Sequence, residues 1–535
     1  MYSNLRELYD NFQWDVPSIF NIAYYTSECH INQKKLALIY EDYDGNVFNY
    51  SFEDLDSISN QLANYFKDIG MQYGDRIGIL LSQQPETIIS HLAGFKIGAI
   101  NIPLFTLFGP EALQFRLHDS ETKLIIVESE NLDKVLEIQN HLPNLEYILC
   151  ISEFSQNHNK IISFYEAIEN YPNQFECSQT SSDDPALIIY TSGTTGPPKG
   201  ALHAHRVLIG HLPGIQVSHN FFPQNDDIFW TPADWAWIGG LLDVVFPSLY
   251  YGVPVVAKRF KKFNAKEAIN IIAKYKVKNV FLPPTALKMM YNDLSVDDIK
   301  NVHLRSVASG GEYLGQEMLK WGLQAFGLHI NEFYGQTEAN LLVSNCSQLM
   351  LPKPNSIGKP VPGHHIEIID ENGHISPEGE TGEIAVQYPD PVMFLGYWKN
   401  NEATEKKFKK GWLTTGDMAY KDKDGFIFFK GRDDDVITSA GYRIGPSEVE
   451  DCLLKHPAVS LSAVIGKPDS LRGQIVKAFI KLKPDYSANE ELAEDIKQFV
   501  KRKLAAHEYP REITFVDDIP LTVTGKVKRA KLRNM

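Results

Sequence analysis

Apolar and polar positions along the chain follow three successive rhythms. From about Ser51 to Phe260, stretches of helical spacing alternate with short unbroken apolar runs. In the segment from Phe52 to Phe66, apolar residues stand at Phe52, Leu55, Ile58, Leu62 and Phe66, which puts them on one helix face. The runs 75–81, 124–127 and 186–190 are short and almost wholly apolar, as expected of strands covered on both faces. Such alternation predicts parallel sheets with helices packed on them. Residues 267–283 repeat it, with 268–273 as helix and 279–282 as strand, stopped by Pro283-Pro284. From about Ser356 to Phe429 the pieces 365–370, 382–387 and 425–429 read as strands separated by Asn372-Gly373 and Asp424-Gly425, both hairpin turn signals. After Gly431-Arg-Asp-Asp-Asp435 a fresh helix–strand pattern runs on. The expectation is an α/β protein. A large N-terminal domain over 1–431, with two βα-layered subdomains and a small antiparallel β-barrel at about 356–429, precedes a small C-terminal α+β domain over 436–535.

Length agrees, because 535 residues exceed what one core of about 250–300 residues can hold. The net charge of −15 argues against nucleic acid or an anionic membrane as the main partner. Lys526, Lys528, Arg529, Lys531 and Arg533 form a basic tail against that background. The five cysteines show no C-x-x-C spacing, so neither zinc nor a disulfide framework is indicated. No apolar run approaches the roughly 18 residues of a membrane span, and the first residues carry no secretory pattern. These features lead us to expect a cytoplasmic enzyme with no stable membrane insertion. They leave a homo-oligomer open.

The densest chemistry lies in Tyr190-Thr-Ser-Gly-Thr-Thr-Gly-Pro-Pro-Lys-Gly200. The preceding apolar run predicts a strand, so Thr191, Ser192, Gly193, Thr194, Thr195 and Gly196 form the loop at its end. Glycines let successive N–H groups face an anion, hydroxyls add donors, and Lys199 adds a point charge. The spacing is not that of the ordinary P-loop, since Lys199 is followed by Gly200 rather than by Ser or Thr. A polyphosphate is the expected ligand. In Asn331-Glu-Phe-Tyr-Gly-Gln-Thr-Glu338, Thr337 can bond a phosphate and Glu338 can hold Mg²⁺, which takes few carboxylates plus phosphate oxygens and water. In Thr415-Gly-Asp417 the aspartate can accept from a ribose diol.

These motifs, in this order, resemble those of the acyl-adenylate-forming enzymes: acyl-CoA synthetases, carrier-loading adenylation domains and luciferases. The resemblance spans most of the chain. It implies that Glu332, Phe333, Tyr334, Gly335 and Gln336 line the nucleotide, with Tyr334 stacked on adenine, and that Gly311 and Glu312 run beside it. It implies a ribose contact from Arg432, a hinge at 432–435 centred on Asp434, and a mobile C-terminal lid. The three consecutive aspartates there repel one another, as suits an exposed connector. Gly441, Tyr442 and Arg443 match a loop along the pantetheine tunnel. Lys526, in Thr524-Gly-Lys526, matches the catalytic lysine, with Thr337 and Glu338 as its catalytic companions.

Within the superfamily the chain is most similar to the acetyl-CoA synthetase-like and medium-chain acyl-CoA synthetases. That implies ATP, Mg²⁺ and coenzyme A as cofactors and a small carboxylic acid as substrate. Trp235 and Trp237 fall at the acyl pocket. Gly335 stands where acetate- and propionate-specific relatives carry tryptophan, which points to a longer acid, and Arg472 falls where coenzyme A is held. His507 and Glu508 depart from the Tyr-Lys-Tyr-Pro pattern of that subgroup. The rivals are an adenylating enzyme that loads a separate carrier protein, a luciferase-type oxygenase and a nucleotide-binding scaffold without chemistry.

Overall fold

The computed structural model describes residues 5–151, 161–191, 197–312, 314–432, 435, 437–439, 442–469, 472–504, 508–522 and 526–535. Four sheets organise them. The first has nine strands, six of them parallel neighbours: Leu36–Glu41, Val255–Lys258, Phe229–Trp230, Asn279–Phe281, Ser306–Gly310 and Ile330–Gln336. Antiparallel strands close its two ends, Val47–Ser51 on one side, Ala339–Ser344 and Lys359–Pro360 on the other. The second sheet has eight strands and a parallel run through Pro185–Thr191, Ile100–Pro103, Arg76–Leu80, Leu124–Val127, Tyr147–Cys150 and Ile161–Ser163.

Helices bind the two sheets together. Phe52–Asp68 begins at a capping box in which Ser51 and Asp54 satisfy each other's backbone N–H groups. Its apolar face packs with the wholly buried helix Pro85–Lys96 in one continuous core, where the rings of Phe95 and Phe246 stand 5.6 Å apart. A five-stranded antiparallel sheet follows, built on Ile366–Ile369, Gly382–Gln387, Trp412–Lys421 and Ile427–Arg432 around buried Ile384, Val386 and Leu413. The last sheet, with Val459–Asp469 paired along Gly473–Leu482, has its own core of Val449, Val464, Val476 and Ile480 under helix Glu490–Lys503. The α/β class, the layered halves, the antiparallel unit and the terminal α+β sheet all appear as the apolar rhythm led us to expect.

One feature departs from the parallel pattern. Strand Lys199–Ala204 returns antiparallel beside Pro185–Thr191, with Lys199 opposite Thr191, so the glycine-rich segment spans a hairpin rather than a strand-to-helix turn. A short connection with two prolines is too brief for a crossover, which needs a dozen residues or more.

Candidate active site

The residues that the resemblance assigns to the nucleotide lie on strands from three sheets that contact one another through their side chains. Thr191 and Lys199 are the two ends of the hairpin, and the Thr191 hydroxyl donates to the Lys199 carbonyl at 3.4 Å. Ser192, Gly193, Thr194, Thr195 and Gly196 lie outside the described residues. Strand Gly396–Tyr397 pairs onto Lys199–Ala204 and brings the Tyr397 ring to 5.2 Å from Lys199 Nζ.

Thr337 and Glu338 form the two-residue turn between Ile330–Gln336 and Ala339–Ser344, where Gln336 faces Ala339 across the hairpin. A turn this tight pushes both side chains to the sheet end, half-buried. The Tyr397 hydroxyl donates to Glu338 Oε1, and Phe394 N donates to the Glu338 carbonyl at 2.9 Å. Burial and then the Glu338 charge push the Tyr397 hydroxyl far above the usual tyrosine range, so it stays a neutral donor. Among the described residues no cluster of three or more His, Cys, Asp or Glu side chains could hold a metal. A single half-buried carboxylate suits Mg²⁺, which completes its shell with phosphate oxygens and water.

Asp417, the expected ribose contact, is where Tyr334, Gln336 and Arg432 meet. It lies in Trp412–Lys421 just after Gly416, whose φ of +77° favours glycine. Its Oδ2 accepts from the Tyr334 hydroxyl at 2.6 Å and from Gln336 Nε2, which also donates to the Thr415 carbonyl at 2.8 Å. Arg432, directly across the strand pair, brings a guanidinium nitrogen to 3.8 Å from Asp417 Oδ1. Tyr334, Gln336, Asp417 and Arg432 are thus brought together from positions nearly a hundred residues apart. Burial, followed by the Asp417 charge, holds the Tyr334 hydroxyl well above its ordinary pKa. It is therefore a fixed donor.

The terminal unit docks against this end. Asp451, on helix Pro446–Leu454, lies so close that a Cβ on Gly315 would stand 2.2 Å from its Oδ1. A Cβ on Gly445 would stand 2.2 Å from the Lys430 carbonyl. Burial pushes the Glu332 carboxyl up to about 7, and the Asp451 charge adds to the rise. Glu332 Oε1 accepts from Leu314 N at 3.1 Å. Burial also raises Glu312, while the charges of Lys288, Lys526 and Arg529 pull it back down. Lys526 is exposed and stands close enough for its charge to act on Glu312, in the turn beside Gly311. Its backbone is held by Thr522, whose hydroxyl accepts from Lys526 N at 3.0 Å.

Asp434 and Gly441 lie outside the described residues. Tyr442 and Arg443 are described by backbone alone, in a strand where Arg443 faces Thr438. Arg472 sits at the end of the Val459–Asp469 and Gly473–Leu482 hairpin, its N–H donating to Asp469 Oδ1 at 2.9 Å.

The acyl-side residues behave differently. Trp235 is 1% exposed and belongs to the central core. Trp237 is half-buried and packs on Gly311, where a Cβ would approach its ring to 2.8 Å, and on Phe281 at 5.6 Å. Phe333 continues this wall, its ring 5.2 Å from Phe281. The space beside Gly335 is already taken: a Cβ there would stand 2.4 Å from Asn340 Oδ1 and 2.4 Å from Leu341 N. Close backbone approach at a bulge therefore accounts for that glycine. Asn340 in turn donates to Asp243 Oδ1 at 2.7 Å, and His211 Nε2 lies 3.8 Å from the same oxygen. Asp243 sits in a π-helical turn, Leu241–Val245, and burial raises its carboxyl well above the ordinary range. Sequence reasoning missed Tyr397, Asp451 and this buried Asp243–Asn340–His211 group. No local motif marks any of them, because each acts through a tertiary contact.

Comparison with known proteins agrees with this geometry. Residues 27–398 match the family model described as AMP-binding enzyme, and residues 448–526 match the AMP-binding enzyme C-terminal domain. The chain is 34% identical over 547 residues to the mitochondrial acyl-coenzyme A synthetase ACSM3 of Rattus norvegicus, covering 99% of this chain and 93% of that protein. It is likewise 34% identical over 546 residues to the acetyl-coenzyme A synthetase of Bacillus subtilis, covering 99% and 94%. Among solved structures, the anthranilate CoA ligase AuaEII in complex with anthranoyl-AMP superposes with a TM-score of 0.88 at 31% identity, covering 97% of this chain and 98% of that one. A hairpin closed by Thr191 and Lys199, a Thr-Glu turn, an aspartate gripped by tyrosine and glutamine, and two family models covering most of the chain lead to one assignment: the protein belongs to the AMP-binding enzyme family.

Proposed function

We propose that the protein is an AMP-forming acyl-CoA synthetase that activates a carboxylic acid, of medium chain length on the sequence reading, as acyl-AMP and passes the acyl group to coenzyme A. The observation that supports this reading is the convergence of Tyr334, Gln336 and Arg432 on Asp417, in a chain 34% identical over nearly its full length to an acyl-coenzyme A synthetase. The chemical obstacle is repulsion between two anions, the substrate carboxylate and the α-phosphate, so the work is positioning plus positive charge.

In this reading Lys526 lies between the carboxylate and the α-phosphate while the carboxylate oxygen attacks phosphorus and pyrophosphate leaves. Lys199 and the Thr191 hairpin hold the departing group. Asp417 and Arg432 hold the ribose, kept in place by Tyr334 and Gln336. Glu338 and Thr337 would hold Mg²⁺, which supplies charge neutralisation at phosphate oxygens when bound. Tyr397 orients Glu338 for that task. The thiol of coenzyme A then attacks the acyl carbonyl, its proton goes to solvent or base, and AMP departs. Tyr442, Arg443 and Arg472 belong to this second step, with Asp434 as the point about which the small domain turns. The acid lies along Trp237. Each methylene it buries is worth about 0.8 kcal/mol, so chain-length preference is graded.

The reading includes a cytoplasmic setting, supported by five free cysteines. Among the described residues no helix is long and apolar enough to cross a membrane. The test is acid-dependent ATP–pyrophosphate exchange across acids from acetate to dodecanoate and aromatic acids, followed by acceptor assays. Thioester formation on free coenzyme A is expected. Exchange followed by transfer only to a carrier protein would move the assignment to the carrier-loading class, and no exchange with any acid would remove the enzymatic reading.

A further inference from the structure

Beside the phosphate hairpin lies a cavity of about 320 Å³ whose lining includes Lys199, Tyr397, Asn400, Glu402, Lys406 and Lys407. Three lysines and one glutamate line it in a protein whose overall charge is −15, so the cavity stands out as locally cationic. Its inner end is tied to the nucleotide machinery twice. Lys199 stacks over Tyr397, and the Tyr397 hydroxyl bonds Glu338. Lys407 Nζ donates to the carbonyls of Thr414 at 3.1 Å and Thr415 at 3.4 Å, just before Asp417. Its outer end is built from short helix Asn401–Glu405, where Lys406 pairs with Glu402 at 2.6 Å and both are highly exposed. The lysines therefore extend from Lys199, at the hairpin, to exposed Lys406.

The geometry points to this cavity as a second station for inorganic pyrophosphate on its way out, sharing Lys199 with the grip on the departing group and adding Lys406 and Lys407. The inference rests on the acyl-adenylate reading above for the source of the pyrophosphate, but not for the binding itself. A compact, multiply charged anion suits ammonium point charges, which need no planar or apolar partner. Lys407 has its charge fixed by two carbonyls, and Lys199 is fixed against an aromatic face. Lys406 is the adjustable member: an arriving polyanion competes with Glu402 for it. Glu402 thus acts as the counter-ion that makes the site release what it binds.

Two surface variants with opposite signs test this, because neither residue touches the nucleotide machinery. Lys406→Gln should raise the product-inhibition constant of pyrophosphate about five- to tenfold, and Glu402→Gln should lower it by about two- to fivefold, with KM for ATP and the rate of acyl-AMP formation changed less than about twofold in both. Calorimetric titration of the full chain with pyrophosphate alone should follow the same order of affinities. Parallel changes in KM for ATP and in pyrophosphate inhibition would mean that the cavity merely extends the grip on the γ-phosphate, and would overturn the proposal. Unchanged pyrophosphate affinity in both variants would overturn it too. If the protein shows no exchange activity at all, the titration still decides the matter: loss of affinity in Lys406→Gln sustains the cavity while the acyl-adenylate reading falls.

Discussion

The residues proposed for the nucleotide and those proposed for the acyl group meet along strand Ile330–Gln336 but are held by opposite means. At the nucleotide end polar side chains are held by one another: Tyr334 and Gln336 grip Asp417, Arg432 faces it, and Tyr397 holds Glu338. At the acyl wall the groups are held by packing. Trp235 is sealed in the core, Gly335 is closed over by Asn340, and Asp243 is buried with Asn340 and His211. The contrast follows from ligand chemistry. A triphosphate nucleotide is common to the whole family and needs donors in fixed places, whereas an acyl chain needs only a shaped apolar wall that can vary. Substitutions at the first place should therefore cost rate or affinity without unfolding the protein, and substitutions at the second should cost stability.

The largest effect should come from Glu338→Gln, which keeps shape and removes the charge proposed to hold Mg²⁺. Loss of one such electrostatic contact in catalysis costs on the order of 10²–10³ in rate. We expect that fall in the rate of acyl-AMP formation with a melting temperature within a degree or two of the parent. A large drop in melting temperature instead would erase the distinction between the two regions. Next comes Asp417→Asn. A hydrogen bond to a charged partner is worth about 1.5–3 kcal/mol, so KM for ATP should rise about ten- to a hundredfold while the acid's KM holds steady.

On the acyl side, Gly335→Ala should destabilise by about 1–3 kcal/mol, because its methyl meets the Leu341 backbone, which cannot move as a flexible side chain could. Chemical denaturation reads this directly. An unchanged midpoint together with a new preference for shorter acids would show that Gly335 borders open space. Asn340→Ala should cost about 1–3 kcal/mol as well, by leaving buried Asp243 without its donor.

The last effect concerns pH and is spread across its titration range. Glu332 is raised to about 7 in the folded protein from an ordinary value near 4.5. A raised folded pKa means that the folded state binds the proton more tightly, so this contribution is fully present below about 4.5 and is lost as pH rises through about 7. Glu332→Gln should flatten the fall in melting temperature between those limits. An identical slope in both proteins would remove Glu332, and the Asp451 contact behind it, as the cause.

The turns at Thr337-Glu338 and at Thr415-Gly-Asp417 were legible in the sequence because each is a local motif that announces a turn with donors or acceptors attached. Strand and helix rhythms also gave the layers, since 52–66, 124–127 and 186–190 bury what their spacing says they bury. The antiparallel return at Lys199–Ala204 was hidden, as pairing direction depends on connection length more than on apolar pattern. Tyr397 and Asp451 were hidden for a different reason. Each matters only through a residue far away in sequence, Glu338 for one and Gly315 for the other, and nothing beside them in the chain signals the contact. Gly335 reads in the sequence as opening the acyl pocket, but a glycine can also admit a neighbouring backbone, and the positions of Asn340 and Leu341 give that second reason for it here.

The central claim is that Lys526 serves the first half-reaction and not the second. Lys526→Ala should abolish acid-dependent ATP–pyrophosphate exchange, while thioester formation from supplied acyl-AMP and coenzyme A proceeds at close to the parent rate. Equal loss of both half-reactions, or exchange that survives without the lysine, would contradict it.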